Sequence, residues 1–223
     1  MGKLDISHID IGGCEGCSIS VYMALIKTKN INFYSKFRGN FVLKDEGIAI
    51  VSGSICMDTQ EKVELLKEIR MKSSVLVAFG SCSALGGITR YCKGGQQPKP
   101  DHMTFRRINK IVDVDYAVPG CPPPPQFLIQ FINLFVSGKQ SKFIQIFRSI
   151  AEIKKLSGLD LIDNIVLQNI CIGCGACVLS CPTDALRIIE GMPDLILEKC
   201  IRCGICYVRC PIGNKLLLRG CLK

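Results

Sequence analysis

The chain has 223 residues, a formal net charge of +9, 48% hydrophobic residues and 15 cysteines. That length accommodates one ordinary domain and a small second one, and the apolar content suffices for a sizeable core. No window is apolar for long enough to span a bilayer, basic runs stay short, and no charged-then-apolar leader or twin-arginine is present. A transmembrane segment, nucleic-acid binding and export on a signal of its own are therefore not expected.

Residues 1–137 read as alternating strands and helices. Leu4 to Ile11 alternates apolar and polar residues as a half-buried strand does, then runs into Gly12, Gly13 and the C-x-x-C pair Cys14 and Cys17. Ile48–Val51 and Val75–Phe79 are short apolar runs near glycine, as buried strands of a parallel sheet are. Between them Asp58 is expected to cap a helix, with Glu61 three residues on and Val63, Leu66 and Ile69 at helical spacing. Tyr116–Val118 is a further strand, and "CPPPPQFLIQFINLFV" puts prolines in the first turn of an apolar helix. This alternation predicts an α/β layer fold. Residues 138–163 read as a helical connector, because "SKFIQIFRSIAEIKK" has helical periodicity between two loop-like stretches. From residue 164 onward cysteine dominates.

There "CIGCGACVLSCP" and "CIRCGICYVRCP" lie 29 residues apart, each a C-x2-C-x2-C-x3-C-P run of bacterial ferredoxin type. In that arrangement the fourth cysteine of each run ligates the other cluster. Cys171, Cys174, Cys177 and Cys210 are then expected to hold one [4Fe-4S] cluster, and Cys200, Cys203, Cys206 and Cys181 a second. Three thiolates on one tight loop reach three corners of a cubane, and a distant fourth closes the site. Gly173, Gly175 and Gly204 let backbone N–H groups approach sulfur. Two complete copies weigh against zinc knuckles and coincidence.

Cys14 and Cys17 recur with Cys82 in "FGSCSALGG" and Cys121 in "VPGCPPPP", all after predicted strands. Strand carboxyl ends of an open α/β sheet share one edge, so these four thiols are positioned to surround one cluster. On spacing alone a redox C-x-x-C pair, a zinc site and unconnected buried thiols remain open. Cys56, Cys92 and Cys221 fit no set and read as ordinary thiols. His8 and His102 are far apart in sequence and belong to no metal-spaced pair, and neither a Walker loop nor a G-x-G-x-x-G fingerprint occurs. If twelve thiolates hold three clusters, they and the cluster cores contribute about −6, leaving about +3.

"GCEGCSIS", "GSCSALGGITRYCKGG" and "PGCPPPPQ" resemble the small-subunit signatures of [NiFe] hydrogenases. With the double-cluster segment appended, the chain is similar to the gamma subunits of the coenzyme F-420-reducing hydrogenases of methanogenic archaea. The resemblance implies a flavodoxin-like N-terminal domain and a C-terminal α+β bacterial-type 2[4Fe-4S] ferredoxin domain over 164–223. It implies that Cys14, Cys17, Cys82 and Cys121 bind a proximal [4Fe-4S] cluster, the first of three. The expected role is a cytoplasmic electron-transfer subunit that is not itself catalytic. Its partners would be a [NiFe] hydrogenase large subunit, carrying the nickel-iron centre, and a flavin-containing (FAD) subunit that binds coenzyme F-420. A carrier or adaptor in a non-hydrogenase redox complex is the alternative. One departure stands out: related small subunits commonly have glutamate where this chain has Ser52, and Asp58 is the nearest carboxylate in sequence that could replace a thiolate.

Overall fold

Strand β1 (Leu4–Asp10) buries Ile6, Ser7, His8 and Ile9 and is an inner strand of a parallel sheet. This computed structural model describes residues 3–35, 42–86, 105–139, 141–152 and 156–219. After β1 come helix α1 (Gly16–Leu25), β2 (Ile31–Ser35) and β3 (Ile48–Ser52). The two-residue strand β4 (Ile55–Cys56) pairs antiparallel with β6 (Phe105–Arg106). Between those two lie α2 (Gln60–Lys72), β5 (Val75–Phe79) and α3 (Ser81–Leu85). Strand β7 (Tyr116–Val118) and helix α4 (Pro125–Val136) follow.

The sheet has the order β2-β1-β3-β5-β7, all parallel, which is the flavodoxin-like arrangement expected from the resemblance. The strand order reverses between β1 and β3, so the crevice where such folds bind ligands opens at their carboxyl ends. All of β3 is buried, as its unbroken apolar run requires. Helix α2 begins one residue later than the proposed cap: Thr59 occupies the N-cap, without a side-chain hydrogen bond, and Asp58 lies outside the helix.

The segment 138–163 carries helix α5 (Lys142–Glu152), whose Phe143 and Phe147 pack edge-on or tilted against Phe127 of α4. Its periodicity was legible, and its buried face joins it to the core shared with the sheet. Beyond it come α6 (Gly158–Leu161), with a Ser157–Asp160 capping box, and α7 (Ala176–Leu179). The hairpin β8 (Leu186–Ile189) and β9 (Met192–Leu195) and helices α8 (Ile205–Arg209) and α9 (Pro211–Arg219) complete the described C-terminal lobe. Among the described residues no helix is long and apolar enough to cross a membrane.

His8 lies inside the sheet, 3% exposed, and burial holds its pKa down to about 4 although the charge of Asp10 pulls the other way. The unfolded chain, titrating near the ordinary value of about 6.5, takes up a proton there that the folded chain does not. Stability from this group is therefore complete above that value and declines as pH falls toward the folded value, by at most about 1.4 kcal/mol per pH unit. Under anaerobic conditions the melting temperature should drop between pH 7 and pH 5, and His8→Asn should flatten the drop. An equal drop in the variant would assign it to other groups.

Candidate metal centres

The first group of thiols is built by strand ends. The loop after β1 carries Cys14, which is exposed, and α1 carries Cys17, which is partly buried. Gly12 and Gly13 pack so closely over Gly53, just past β3, that a Cβ on Gly53 would fall 2.7 Å from their backbone. Gly53 has φ +87, so backbone conformation and space both demand glycine. Gly80, at φ +98 after β5, lies against Cys17 Sγ, where a Cβ would collide with the sulfur. Cys82 follows in α3, and Cys121 follows β7 past Gly120. Burial first, and then the neighbouring Cys82, Cys121 and Cys14, push the Cys17 thiol far above its usual range. Cys121 is raised by burial and by Cys14. The structure thus brings together all four N-terminal candidates.

The C-terminal lobe holds two further groups. One cavity is lined by Cys181, Cys200, Cys203 and Cys206. Another is lined by Cys171, Cys174, Cys177 and Cys210. The fourth cysteine of each run therefore faces the other run's first three, the crossed grouping expected from spacing. Gly175 and Gly204 hold equivalent places, with φ 70 and 72, each opening the short helix that follows. Backbone N–H groups point inward: those of Val178 and Ile205, in the helices these turns open, act on Cys177 and Cys203, and those of Ile212 and Gly213, at the start of α9, act on Cys210. The N–H groups of Gly158 and Ala185 donate to Cys200 Sγ at 3.4 Å and Cys181 Sγ at 3.2 Å.

These donor sets fit iron-sulfur clusters. Burial drives the thiols up, Cys177 and Cys203 to about 11 and Cys206 well above its ordinary value, with neighbouring thiols adding to the effect. Thiols gathered this closely ionise together only around something positive. Among the described residues no three His, Cys, Asp or Glu side chains converge to hold a single metal ion. A mononuclear zinc site would draw its sulfurs to about 2.3 Å from one point. In the C-terminal lobe the thiols instead ring cavities, with N–H donors aimed at sulfur as cluster sites have.

The groups are also joined. Ser81, just before Cys82 and 1% exposed, donates from Oγ to the Cys203 carbonyl at 3.0 Å and accepts the Gly120 N–H at 2.9 Å. Arg209 Nη2 donates to the Cys121 carbonyl at 2.7 Å. The Cys181–Cys200–Cys203–Cys206 cavity therefore abuts the strand-edge thiols. No spacing rule points to Ser81 or Arg209; only the folded contact reveals them. Cys56 sits in β4, partly buried, while Cys92, Cys221 and His102 lie outside the described residues. The carboxylate whose charge acts on Cys17 is that of Asp10, not Asp58.

Comparison with known proteins agrees with this architecture. Residues 14–135 match the family described as NADH ubiquinone oxidoreductase, 20 Kd subunit, and residues 164–215 match the 4Fe-4S dicluster domain. Over 211 residues the chain is 34% identical to the coenzyme F-420 hydrogenase subunit gamma of Methanosarcina barkeri, covering 86% of this chain and 80% of that one. It is 31% identical over 212 residues to the subunit of the same name from Methanococcus voltae, with 85% and 87% covered. Its fold is similar to a chain in the crystal structure of an NAD+-reducing [NiFe]-hydrogenase in the H2-reduced state. That match has a TM-score of 0.50 and 25% identity, and covers 62% of this chain and 93% of the other. With both of its parts matched, and with such relatives spanning most of its length, the chain belongs to the gamma-subunit family of the coenzyme F-420 hydrogenases.

Proposed function

We propose that the chain is the electron-transfer subunit of a cytoplasmic [NiFe] hydrogenase complex. It relays electrons from H2 oxidation on a large subunit to a flavin-containing subunit that reduces coenzyme F-420. The observation that supports this most is the gathering of twelve cysteines into three groups of four, the middle group touching the strand-edge group through Ser81, while Arg209, next to Cys210, reaches the Cys121 carbonyl. In this reading Cys14, Cys17, Cys82 and Cys121 hold a proximal [4Fe-4S] cluster. Cys181, Cys200, Cys203 and Cys206 hold the middle one, and Cys171, Cys174, Cys177 and Cys210 the outer one. The corresponding division is a hydrogenase-like domain at 1–137, a connector at 138–163 and a ferredoxin domain at 164–223.

Bound clusters supply one-electron relay without bond-making, so the chain needs no acid–base machinery of its own. Its residues supply spacing, burial and N–H donors to sulfur, which set cluster potentials. The nickel-iron centre and FAD belong to the partners in this reading. Helix α1 supports a docked large subunit: it buries Ser18, Val21, Ala24 and Leu25, yet its outer side presents Ile19, Tyr22 and Met23, with Ile26 just beyond. A helix apolar on all sides is ordinarily covered, and this one begins beside Cys14 and Cys17. That uncovered side counts against a solitary carrier. At the other end exposed Leu167 and Ile172 flank the outer group, beside exposed Cys174, where the flavin subunit would approach.

Iron analysis tests the reading. The anaerobically purified, fully reconstituted chain should contain about twelve irons and twelve acid-labile sulfides. Eight irons would remove the strand-edge cluster. Anaerobic co-purification should bring down a larger subunit containing nickel; a nickel-free partner would favour the non-hydrogenase alternative.

A further inference from the structure

A carboxylate stands beside the strand-edge thiols that no spacing rule reveals. Asp10 closes β1 directly opposite Ser52, the last residue of β3, in the parallel register. Its Oδ1 accepts the backbone N–H groups of Gly12 at 2.9 Å and Gly13 at 2.7 Å. Its Oδ2 accepts the hydroxyls of Ser52 at 2.9 Å and Ser18 at 3.2 Å. Gly13 immediately precedes Cys14, and Ser18 immediately follows Cys17. One side chain therefore ties down both shoulders of the C-x-x-C segment.

The carboxylate is itself held from behind. Ser52, fully buried, lies with its Oγ 3.0 Å from His8 Nε2, and His8 Nδ1 lies 3.4 Å from Ser35 Oγ. Because Ser52 gives its proton to Asp10, it accepts from His8, which fixes the Nε2–H tautomer and leaves Nδ1 to accept from Ser35. The chain Ser35–His8–Ser52–Asp10 thus runs across three adjacent strands, with each donor pointing toward the carboxylate. After burial and the other three cysteines, the Asp10 charge is a further influence raising Cys17.

We infer that Asp10 is the positioning residue of the strand-edge centre, anchoring the Cys14–Cys17 loop through three hydrogen bonds, itself held by a fourth from Ser52, and placing a negative charge beside whatever the four thiols hold. This rests on the reading that they hold a cluster. Ser52, its partner across the strands, carries no charge, so in this pair of strand ends the carboxylate is that of Asp10.

The test uses the whole chain, purified anaerobically, with Asp10→Ala, Asp10→Asn and the double variant D10N/S52E. Asp10→Ala should speed amide hydrogen exchange at Gly12 and Gly13 by about tenfold or more, the effect of losing a hydrogen bond to a charged acceptor. Asp10→Asn keeps the acceptor at Oδ1, so exchange stays near that of the parent. Removal of its charge should raise the reduction potential of the strand-edge cluster in an EPR-monitored titration, and S52E should bring it back toward the parent value. Unchanged exchange in Asp10→Ala overturns the anchor. An unchanged potential in Asp10→Asn overturns the charge effect, and this arm still decides if the alanine variant does not fold. If iron analysis instead removes the strand-edge cluster, the exchange measurement still decides the anchor, because it requires no iron.

Discussion

Cys181→Ala should abolish the cluster of Cys200, Cys203 and Cys206 while leaving intact the one formed by Cys171, Cys174 and Cys177, its neighbours in sequence. Cys181 is 8% exposed and lines the same cavity as those three thiols, and the Ala185 N–H holds its sulfur in place. Its charge is among those acting on Cys203 and Cys206, whereas Cys210 acts on Cys177. Alanine at this position leaves three thiols on one loop with nothing to close the site. Iron should fall from about twelve to about eight per chain. EPR of the reduced protein should lose one signal, together with its magnetic coupling to the neighbouring cluster. Loss of the Cys171–Cys174–Cys177 cluster instead would show that each run holds its own fourth ligand. Retention of all twelve irons would mean that another donor can take the place of Cys181.

The crossed grouping was legible in the sequence because ligand spacing in a ferredoxin run is a local property. The five-stranded sheet was largely legible for a similar reason: Val75–Phe79 and Ile48–Val51 are buried on both faces and read as continuous apolar runs. Strand β2 was missed, since Ile31–Ser35 is an edge strand with only Phe33 and Ser35 buried, and its pattern is weak. The cap of α2 was misread by one position: Asp58 and Thr59 are both plausible caps by type, and neither bonds the helix N-terminus through its side chain. What spacing could not provide is register. That Asp10 faces Ser52, that Ser81 reaches Cys203 across 122 positions, and that Arg209 reaches Cys121 are consequences of parallel pairing and lobe packing. A non-local contact leaves no mark on either segment alone. Ser52 is the instructive case: read along the chain it offers no carboxylate, and read across the sheet Asp10 stands one strand away.

Replacing Cys17 by alanine should have the largest effect on function with the least effect on fold. Cys17 lies at the start of α1 with Gly80 against its sulfur, and Cys82, Cys121 and Cys14 are its thiol neighbours, so the substitution opens only the strand-edge group. The two cavities of the C-terminal lobe do not include it. Iron should fall to about eight per chain, with both ferredoxin-type EPR signals kept. The outer side of α1 is unaltered, because Ile19, Tyr22, Met23 and Ile26 remain in place, so a large subunit should still co-purify. In the complex proposed above, hydrogen-dependent reduction of coenzyme F-420 should fall to background, since the step nearest the proposed nickel-iron site would have lost its relay. An artificial donor that reduces the C-terminal lobe directly should still drive F-420 reduction, which separates a broken relay from a broken complex. Full hydrogen-dependent turnover in this variant would take Cys14 and Cys17 off the electron path. Loss of both activities would mean that the thiol group holds the two lobes together through Ser81 and Arg209, a structural duty in place of an electronic one.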